Sequence, residues 1–177
     1  MTNLSAPAAA LAALAVAALA LPALGAFPAP TKPVATSFFS GRWYEIARSP
    51  NSQQRDCEAP TYQFAPKTAE ALAFTLTCHK GSPGGKADAL NVTLHLPTDE
   101  ARNRFRVTAL AGLAKVDYWV LDRADDGDWW ILATPKTARI WLLARKPELT
   151  AGERGEALER MRALGYDVGR LEFPKQG

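Results

Sequence analysis

Gly41-Arg42-Trp43-Tyr44-Glu45-Ile46-Ala47-Arg48 is the stretch of sequence that decides the fold of this chain. If it forms a strand, apolar side chains occupy both sets of alternating positions and therefore lie on both faces. The later run Ile140-Trp141-Leu142-Leu143-Ala144-Arg145 has the same two-sided pattern. A strand with one face in water alternates apolar and polar residues instead. We therefore predict that both strands are covered by protein on both faces.

Short apolar runs separated by turn-forming residues fill the chain between these two stretches. We predict strands at 42–48, 60–64, 72–78, 89–96, 104–110, 117–122, 128–133 and 139–145. Eight short strands at this spacing, with no long helix between them, are typical of an antiparallel barrel or sandwich. Closure into a barrel brings the first strand beside the last one and accounts for their two-sided pattern. A sandwich is the alternative.

One helix is predicted after the last strand, at 150–164. Thr150 and Glu153 have the spacing of a capping box, and Gly165 is a helix stop. The apolar face of this helix can cover the outer faces of the first and last strands. Since no repeat or linker divides the chain, we expect 27–177 to form one all-β domain with the helix packed outside.

The first 26 residues differ in composition from the rest. They contain no Lys, Arg, Asp or Glu, and positions 8–21 are an unbroken apolar run followed by the small residues Ala23, Gly25 and Ala26. This pattern predicts a secretory signal peptide at 1–26, with an uncleaved membrane anchor as the alternative. No cysteine lies near this segment, so we expect a protein that crosses the inner membrane and stays in the periplasm without a lipid anchor.

Composition argues against several classes of function. The formal net charge is +3, without the dense basic stripe typical of nucleic-acid binding. His79 and His95 are the only histidines and lack the spacing of metal ligands, so we expect no metal and no cofactor. There is no Gly-rich phosphate loop and no G-x-S-x-G motif, so we predict no catalytic residues and no enzyme activity.

Cys57 and Cys78 are the only two cysteines. They flank two neighbouring strand candidates, and folding these strands into a hairpin places the two cysteines opposite each other. In a secreted chain such a pair favours one disulfide over a reactive thiol.

Three motifs follow one another along the chain. The first is the opening stretch, 41–48. The second is Val116-Asp117-Tyr118 with Val120-Leu121-Asp122-Arg123, and the third is Ile140–Arg145 with Pro147. Together they resemble the motifs of the lipocalins, and in particular those of the bacterial lipocalins and their apolipoprotein-D-like relatives. The resemblance covers roughly residues 38 to 174. It implies an eight-stranded up-and-down barrel with a C-terminal helix, which binds small hydrophobic molecules inside.

The resemblance also implies roles for the motif residues Gly41, Trp43 and Arg145. In the family the matching arginine lies across the tryptophan ring at the closed end of the barrel. This contact is a cation–π stack, worth about 0.5–2 kcal/mol. We therefore expect these residues to be structural, with Trp43 beneath the pocket.

If this stack marks the closed end, the loops at 48–59, 79–88, 110–116 and 134–139 surround the mouth. They contain the basic residues Arg48, Arg55, Lys80, Lys86, Lys115, Lys136 and Arg139 against Asp56, Glu58 and Asp88. We predict a cationic rim suited to fatty acids or lysophospholipids, whose attraction should weaken with salt. The alternative is that these charges only maintain solubility.

Strand alternation from Trp43 and Arg145 then predicts which side chains line the pocket. The candidates are Ala47, Tyr62, Phe64, Phe74, Leu76, Val92, Leu94, Phe105, Val107, Tyr118, Val120, Trp130, Leu132, Trp141 and Leu143. An error of one residue in register would invert the assignment of a strand.

The function expected from this sequence is carriage or storage of a small hydrophobic ligand in the bacterial envelope. One alternative is a lipocalin-fold enzyme, such as an isomerase that uses a thiol in the barrel. A second is a protein-interaction module that uses exposed aromatic residues. A peripheral contact with a membrane is compatible with ligand carriage, by a monomer or a homodimer.

Overall fold

A computed structural model describes residues 28–97, 102–109, 114–137 and 139–177. The predicted signal peptide at 1–26 lies outside the described residues. None of the described helices is long and apolar enough to cross a membrane.

Eight strands form a closed antiparallel barrel in which each strand pairs with the next and β1 pairs with β8. The strands are β1 Gly41–Arg48, β2 Cys57–Thr68, β3 Ala71–Lys80, β4 Ala87–His95, β5 Arg104–Ala109, β6 Ala114–Arg123, β7 Trp129–Thr134 and β8 Arg139–Ala144. This confirms the up-and-down barrel. The predicted strands agree with these bounds to within a few residues, except that β2 extends several residues beyond each end of its predicted range.

Two hydrophobic clusters explain why the first and last strands are apolar on both faces. One cluster fills the lower part of the barrel interior and includes Trp43 and Leu143. The other lies outside the barrel and includes Ile46 and Leu142. Each of these strands therefore contributes to both clusters, as the two-sided pattern requires.

The outer cluster is covered by the C-terminal helix α2, Ala151–Ala163. Ala157 and Met161 are fully buried on its inner face. Thr150 and Glu153 form the predicted capping box, and Gly165 has a φ of 89° just after the helix end. The left-handed region is where glycine is favoured, so Gly165 ends the helix as predicted. The predicted position of the helix on the outside of the barrel is confirmed.

The base of the barrel is closed by a short helix α1, Thr36–Phe39, and by Arg145 just after β8. The guanidinium carbon of Arg145 lies 3.5 Å from the centroid of the Trp43 ring. The same guanidinium donates hydrogen bonds to the carbonyl oxygens of Phe38 (2.7 Å) and Ser40 (2.9 Å). Arg145 therefore holds α1 against the base while it stacks on Trp43.

The backbone conformation and the close approach of Arg145 require glycine at position 41. Its φ is 93°, and a Cβ at this position would lie 3.4 Å from a guanidinium nitrogen of Arg145. A side chain here would be strained by the backbone and would crowd the arginine that closes the base.

A β-bulge in β1 changes which side chains face the interior. The pairing of β1 with β8 shifts register between Glu45 and Ala47. Beyond the shift, Ala47 belongs to the outer cluster together with Ile46. The prediction that Ala47 lines the pocket is therefore wrong, because one extra residue in a strand inverts the alternation after it.

Candidate ligand-binding cavity

A cavity of about 720 Å³ occupies the upper part of the barrel, between the inner cluster and the loops at the mouth. Its lining includes most of the predicted pocket residues: Tyr62, Phe64, Phe74, Leu76, Val92, Leu94, Phe105, Val107, Tyr118, Leu132 and Trp141. These side chains come from all of the strands except β1. The cavity is therefore walled mainly by apolar and aromatic groups, which is typical of sites for small hydrophobic molecules.

Three other predicted pocket residues lie in the inner cluster and are absent from the cavity wall. Val120, Trp130 and Leu143 are buried there together with Trp43. The Trp130 ring packs edge-on against Trp43 at 5.7 Å and against Phe39 at 5.6 Å. Strand alternation correctly predicted that these side chains face inward, but they fill the closed end of the barrel beneath the cavity.

A fully buried polar network adjoins the cavity, centred on Glu45. One carboxylate oxygen accepts hydrogen bonds from the Tyr62 hydroxyl (2.5 Å) and the Gln54 amide (2.8 Å). The other accepts from the Arg48 guanidinium at 2.9 Å. Burial raises the pKa of Glu45 above its usual value, although Tyr62 and Arg48 act in the opposite direction. Burial and the nearby carboxylate raise the pKa of Tyr62 well above its usual value.

Arg48 was predicted at the rim, and the structure places it elsewhere. It is only 3% exposed and lies beneath the loop between β1 and β2. Besides Glu45, its guanidinium donates to the backbone oxygens of Gln54 and Cys57 and to the carboxylate of Glu172. The prediction is wrong because Arg48 is the last residue of β1, where the network turns its side chain away from the mouth.

The other predicted rim residues lie around the mouth. Arg55 and Lys80 line the cavity entrance, but Asp56 and Asp88 line it as well. Lys86, Lys115 and Lys136 are exposed, and Arg139 is half-buried. The entrance therefore carries both signs of charge, with more basic than acidic side chains in the loops around it.

The predicted disulfide between Cys57 and Cys78 is confirmed, with the two Cα atoms 5.0 Å apart. It joins β2 to β3 and forms part of the cavity entrance. Both cysteines of the chain form this disulfide, so neither offers the free thiol that an isomerase of this fold would require.

The sequence analysis missed several residues at the cavity, among them Leu90, Val116 and Gln54. Leu90 and Val116 line the entrance and are 56% and 41% exposed. Leu90 lies two positions before Val92 in the same strand, so alternation could have predicted that it faces the cavity. Val116 precedes the predicted bounds of its strand. Gln54 lies in a loop, where no strand alternation predicts which side chains face the cavity. Its partner Trp141 is distant in the sequence.

The fold and the cavity define the class: a closed eight-stranded antiparallel barrel with an apolar internal cavity and a helix on its outer face. A family model described as "Lipocalin-like domain" matches residues 34–176. The chain therefore belongs to the lipocalin family.

Two curated relatives agree with this assignment. The chain is 26% identical to temperature-induced lipocalin-1 of Arabidopsis thaliana, covering 78% of this chain and 77% of that protein. It is 23% identical to the outer membrane lipoprotein Blc of Vibrio cholerae, covering 84% of this chain and 88% of that protein.

Solved structures show the same fold at low sequence identity. Insecticyanin from the tobacco hornworm Manduca sexta has a TM-score of 0.69 at 16% identity, covering 86% of this chain and 87% of that one. Lobster apocrustacyanin A1 has a TM-score of 0.62 at 13% identity, covering 80% of this chain and 79% of that one.

Proposed function

We propose that this protein binds a small hydrophobic ligand, a fatty acid or a lysophospholipid, in the barrel cavity and carries or stores it in the bacterial envelope. The observation that carries this proposal is the cavity itself, about 720 Å³ of space walled by apolar side chains and open at the mouth. Its floor is the aromatic inner cluster, which offers no charged partner to a ligand. An acyl chain suits such a space.

The energetics favour a long chain over a short one. Each methylene removed from water contributes about 0.8 kcal/mol, so about ten methylenes contribute about 8 kcal/mol. Association costs about 4 kcal/mol or more in lost freedom of motion. Chains of only a few methylenes would therefore bind weakly.

The envelope location rests on two supports. The apolar segment at 1–26 has the pattern of a secretory signal, and the relative from Vibrio cholerae is named as an outer membrane lipoprotein. We propose a periplasmic protein without a lipid anchor, since no cysteine lies near that segment. Fractionation of the native host tests this: recovery in the periplasmic extract supports the proposal, and recovery only in detergent-solubilised membranes contradicts it.

The binding proposal is tested by filling the cavity. Val92→Trp places an indole in the cavity, whereas Asn91→Trp places one on the outer face of the same strand. Both proteins are delipidated and titrated with oleate, and organic extracts of the untreated proteins are analysed by mass spectrometry. We expect Val92→Trp to lose oleate binding and co-purified lipid, and Asn91→Trp to retain both. Failure of the unmodified protein to bind any long-chain lipid would contradict the proposal.

A further inference from the structure

Three polar side chains, those of Tyr118, Thr134 and Arg139, lie at one level near the mouth end of β6, β7 and β8, and Tyr118 lines the cavity. Thr134 pairs directly with Arg139 across β7 and β8. Between β6 and β7, Trp119 pairs with Ala133, so one step further along the ladder Tyr118 lies beside Thr134. The residues two positions away from each of the three belong to the inner cluster, so all three occupy inward-facing positions.

The Tyr118 ring packs against two aromatic neighbours, whereas its hydroxyl is available for hydrogen bonding. Its ring stacks on Phe105 with centroids 5.4 Å apart and planes 12° apart, and it also contacts Trp141 at 6.1 Å. In the described part of the chain the hydroxyl has no hydrogen-bond partner. By contrast, the hydroxyl of Tyr62 on the opposite wall already donates to Glu45. Tyr118 therefore has a donor available to a ligand.

Arg139 is a cation at the same level as this hydroxyl, on the far side of Thr134. Burial raises the pKa of Tyr118, and the positive charge of Arg139 opposes that rise. Its one hydrogen bond among the described residues is a long one, 3.4 Å, to the side-chain oxygen of Gln53. No described carboxylate lies within 4.0 Å of it, whereas at the base Lys32 and Arg160 both pair with Asp122. Arg139 can therefore accept an anionic partner.

The wall below this level is unsuitable for an anion. Leu132, Phe105 and Leu94 are apolar, and an ionised group beside them would lose its water without gaining a partner. Glu45 lies behind Tyr62, and the one cation there, Arg48, is already bonded to Glu45 and Glu172. An anionic head group is therefore expected to remain at the level of Arg139, with its chain directed toward the floor.

We infer that Arg139 and Tyr118 form a head-group subsite that binds the oxyanion, carboxylate or phosphate, of an amphiphile whose acyl chain fills the cavity. The guanidinium and the phenol are two donors at one level of the barrel, on strands separated only by β7. Charge-assisted hydrogen bonds to an oxyanion are stronger than those between neutral groups. This inference rests on the proposed function and adds a specific contact to it. It assigns selectivity for an anionic head group to this pair instead of to the rim charges as a whole.

The test compares three ligands that share one acyl chain. Oleate presents a carboxylate, oleoyl lysophosphatidate presents a phosphate, and monooleoylglycerol is uncharged. The variants are Arg139→Gln, Arg139→Lys and Tyr118→Phe, and the matched control is Lys136→Gln. Lys136 is an exposed cation of the same hairpin. Dissociation constants are measured at low and high salt on delipidated protein, with folding checked by circular dichroism.

We expect Arg139→Gln and Tyr118→Phe to weaken binding of the anionic ligands by about tenfold, which corresponds to about 1.4 kcal/mol. Monooleoylglycerol should bind all variants equally, Arg139→Lys should recover part of the loss, and Lys136→Gln should have no effect. The ligand that loses more affinity identifies the preferred oxyanion. Equal losses in Lys136→Gln and Arg139→Gln, or no loss in either subsite variant, would overturn the inference. If no ligand bound to the unmodified protein, the proposed function itself would fail.

Discussion

The indole N–H of Trp141 donates a hydrogen bond of 2.9 Å to the side-chain oxygen of Gln54, although the two residues are 87 positions apart. Gln54 also donates to the buried carboxylate of Glu45, and Asn51 donates to Gln54 within the loop. One glutamine side chain therefore attaches the loop between β1 and β2 to the cavity wall. This contact determines where that loop lies at the entrance.

Replacing Gln54 by Leu should loosen this loop and lower stability. The change leaves the Trp141 N–H without its acceptor and removes one donor to Glu45, and each unsatisfied buried group costs about 1–3 kcal/mol. We expect a lower midpoint of urea denaturation and faster hydrogen exchange in the loop. The neighbouring exposed residue provides the control: Gln53→Leu should leave both quantities nearly unchanged, and equal effects of the two changes would contradict the role given to Gln54.

Replacing one member of the ion pair between Glu45 and Arg48 should lower stability more than replacing both. Arg48→Met leaves a buried carboxylate without its cation, which typically costs about 3–5 kcal/mol. The double variant Glu45→Gln with Arg48→Met leaves no buried charge and should be more stable than Arg48→Met alone. Urea denaturation of the single and double variants measures the difference. A double variant that is less stable than either single variant would argue against this interpretation.

Glu45 should also make stability depend on pH in a direction opposite to that of most carboxylates. Its pKa is raised in the folded protein, so its contribution to stability is fully present below the pKa of the unfolded chain. That contribution is lost as pH rises through the folded pKa. The pKa values of Asp117 and Asp122 are lowered, so these groups lose their contribution as pH falls.

The difference between the natural protein and Glu45→Gln isolates this effect. We expect the natural protein to gain unfolding free energy relative to Glu45→Gln as the pH is lowered from about 7 to about 4. The lower end of this interval is close to the ordinary pKa of a glutamate. Denaturant titrations across this range measure the difference. Parallel pH profiles of the two proteins would show that Glu45 titrates alike in the folded and unfolded chains.

Arg145→Met should destabilise the base of the barrel. It removes the stack on Trp43, worth about 0.5–2 kcal/mol, and hydrogen bonds from a charged donor worth about 1.5–3 kcal/mol each. Because the group is partly exposed, we expect a net loss of about 2–3 kcal/mol in unfolding free energy. Arg42→Met, at an exposed position of β1, is the matched control and should be nearly neutral. A neutral Arg145→Met would show that α1 closes the base without this arginine.

Reduction of the disulfide should lower stability by about 3 kcal/mol, as expected from the entropy of a chain loop of this size. The cysteines are 21 positions apart, and the strands that carry them are already paired. We expect the double variant Cys57→Ser with Cys78→Ser to fold and to match the reduced natural protein in thermal unfolding. A double variant that retains the stability of the oxidised protein would show that pairing of β2 with β3 suffices.

Much of the fold could be predicted because its signals are local. The two-sided pattern of 41–48 and 140–145 required cover on both faces, and only neighbouring residues are needed to see it. The capping box of Thr150 and Glu153 and the stop at Gly165 are local in the same sense. The inward parity of Leu94 and Phe105 followed from simple alternation, which holds wherever a strand is regular.

The errors occur where the chain departs from regular pairing. Ala47 was placed in the pocket because alternation was carried across a bulge that depends on how β1 meets β8. Arg48 was placed at the rim because it begins the loop at 48–59, which was predicted to surround the mouth. Its partners Gln54, Cys57 and Glu172 come from three separate segments, and no local pattern connects them.

The sequence by itself determined the eight strands, the two that are covered on both faces and the helix on the outside, because alternation, capping and turn residues act over short distances. The lipocalin barrel and its closed end were implied by the resemblance of its three motifs. Only the tertiary structure decided which inward side chains fill the base and which leave a cavity above it. It also decided that Glu45, Arg48 and Gln54 form one buried network, and that Tyr118 and Arg139 lie at one level of the barrel, on either side of Thr134. These relationships depend on closure of the barrel and on the registers of several strand pairs, which bring together residues that are distant along the chain.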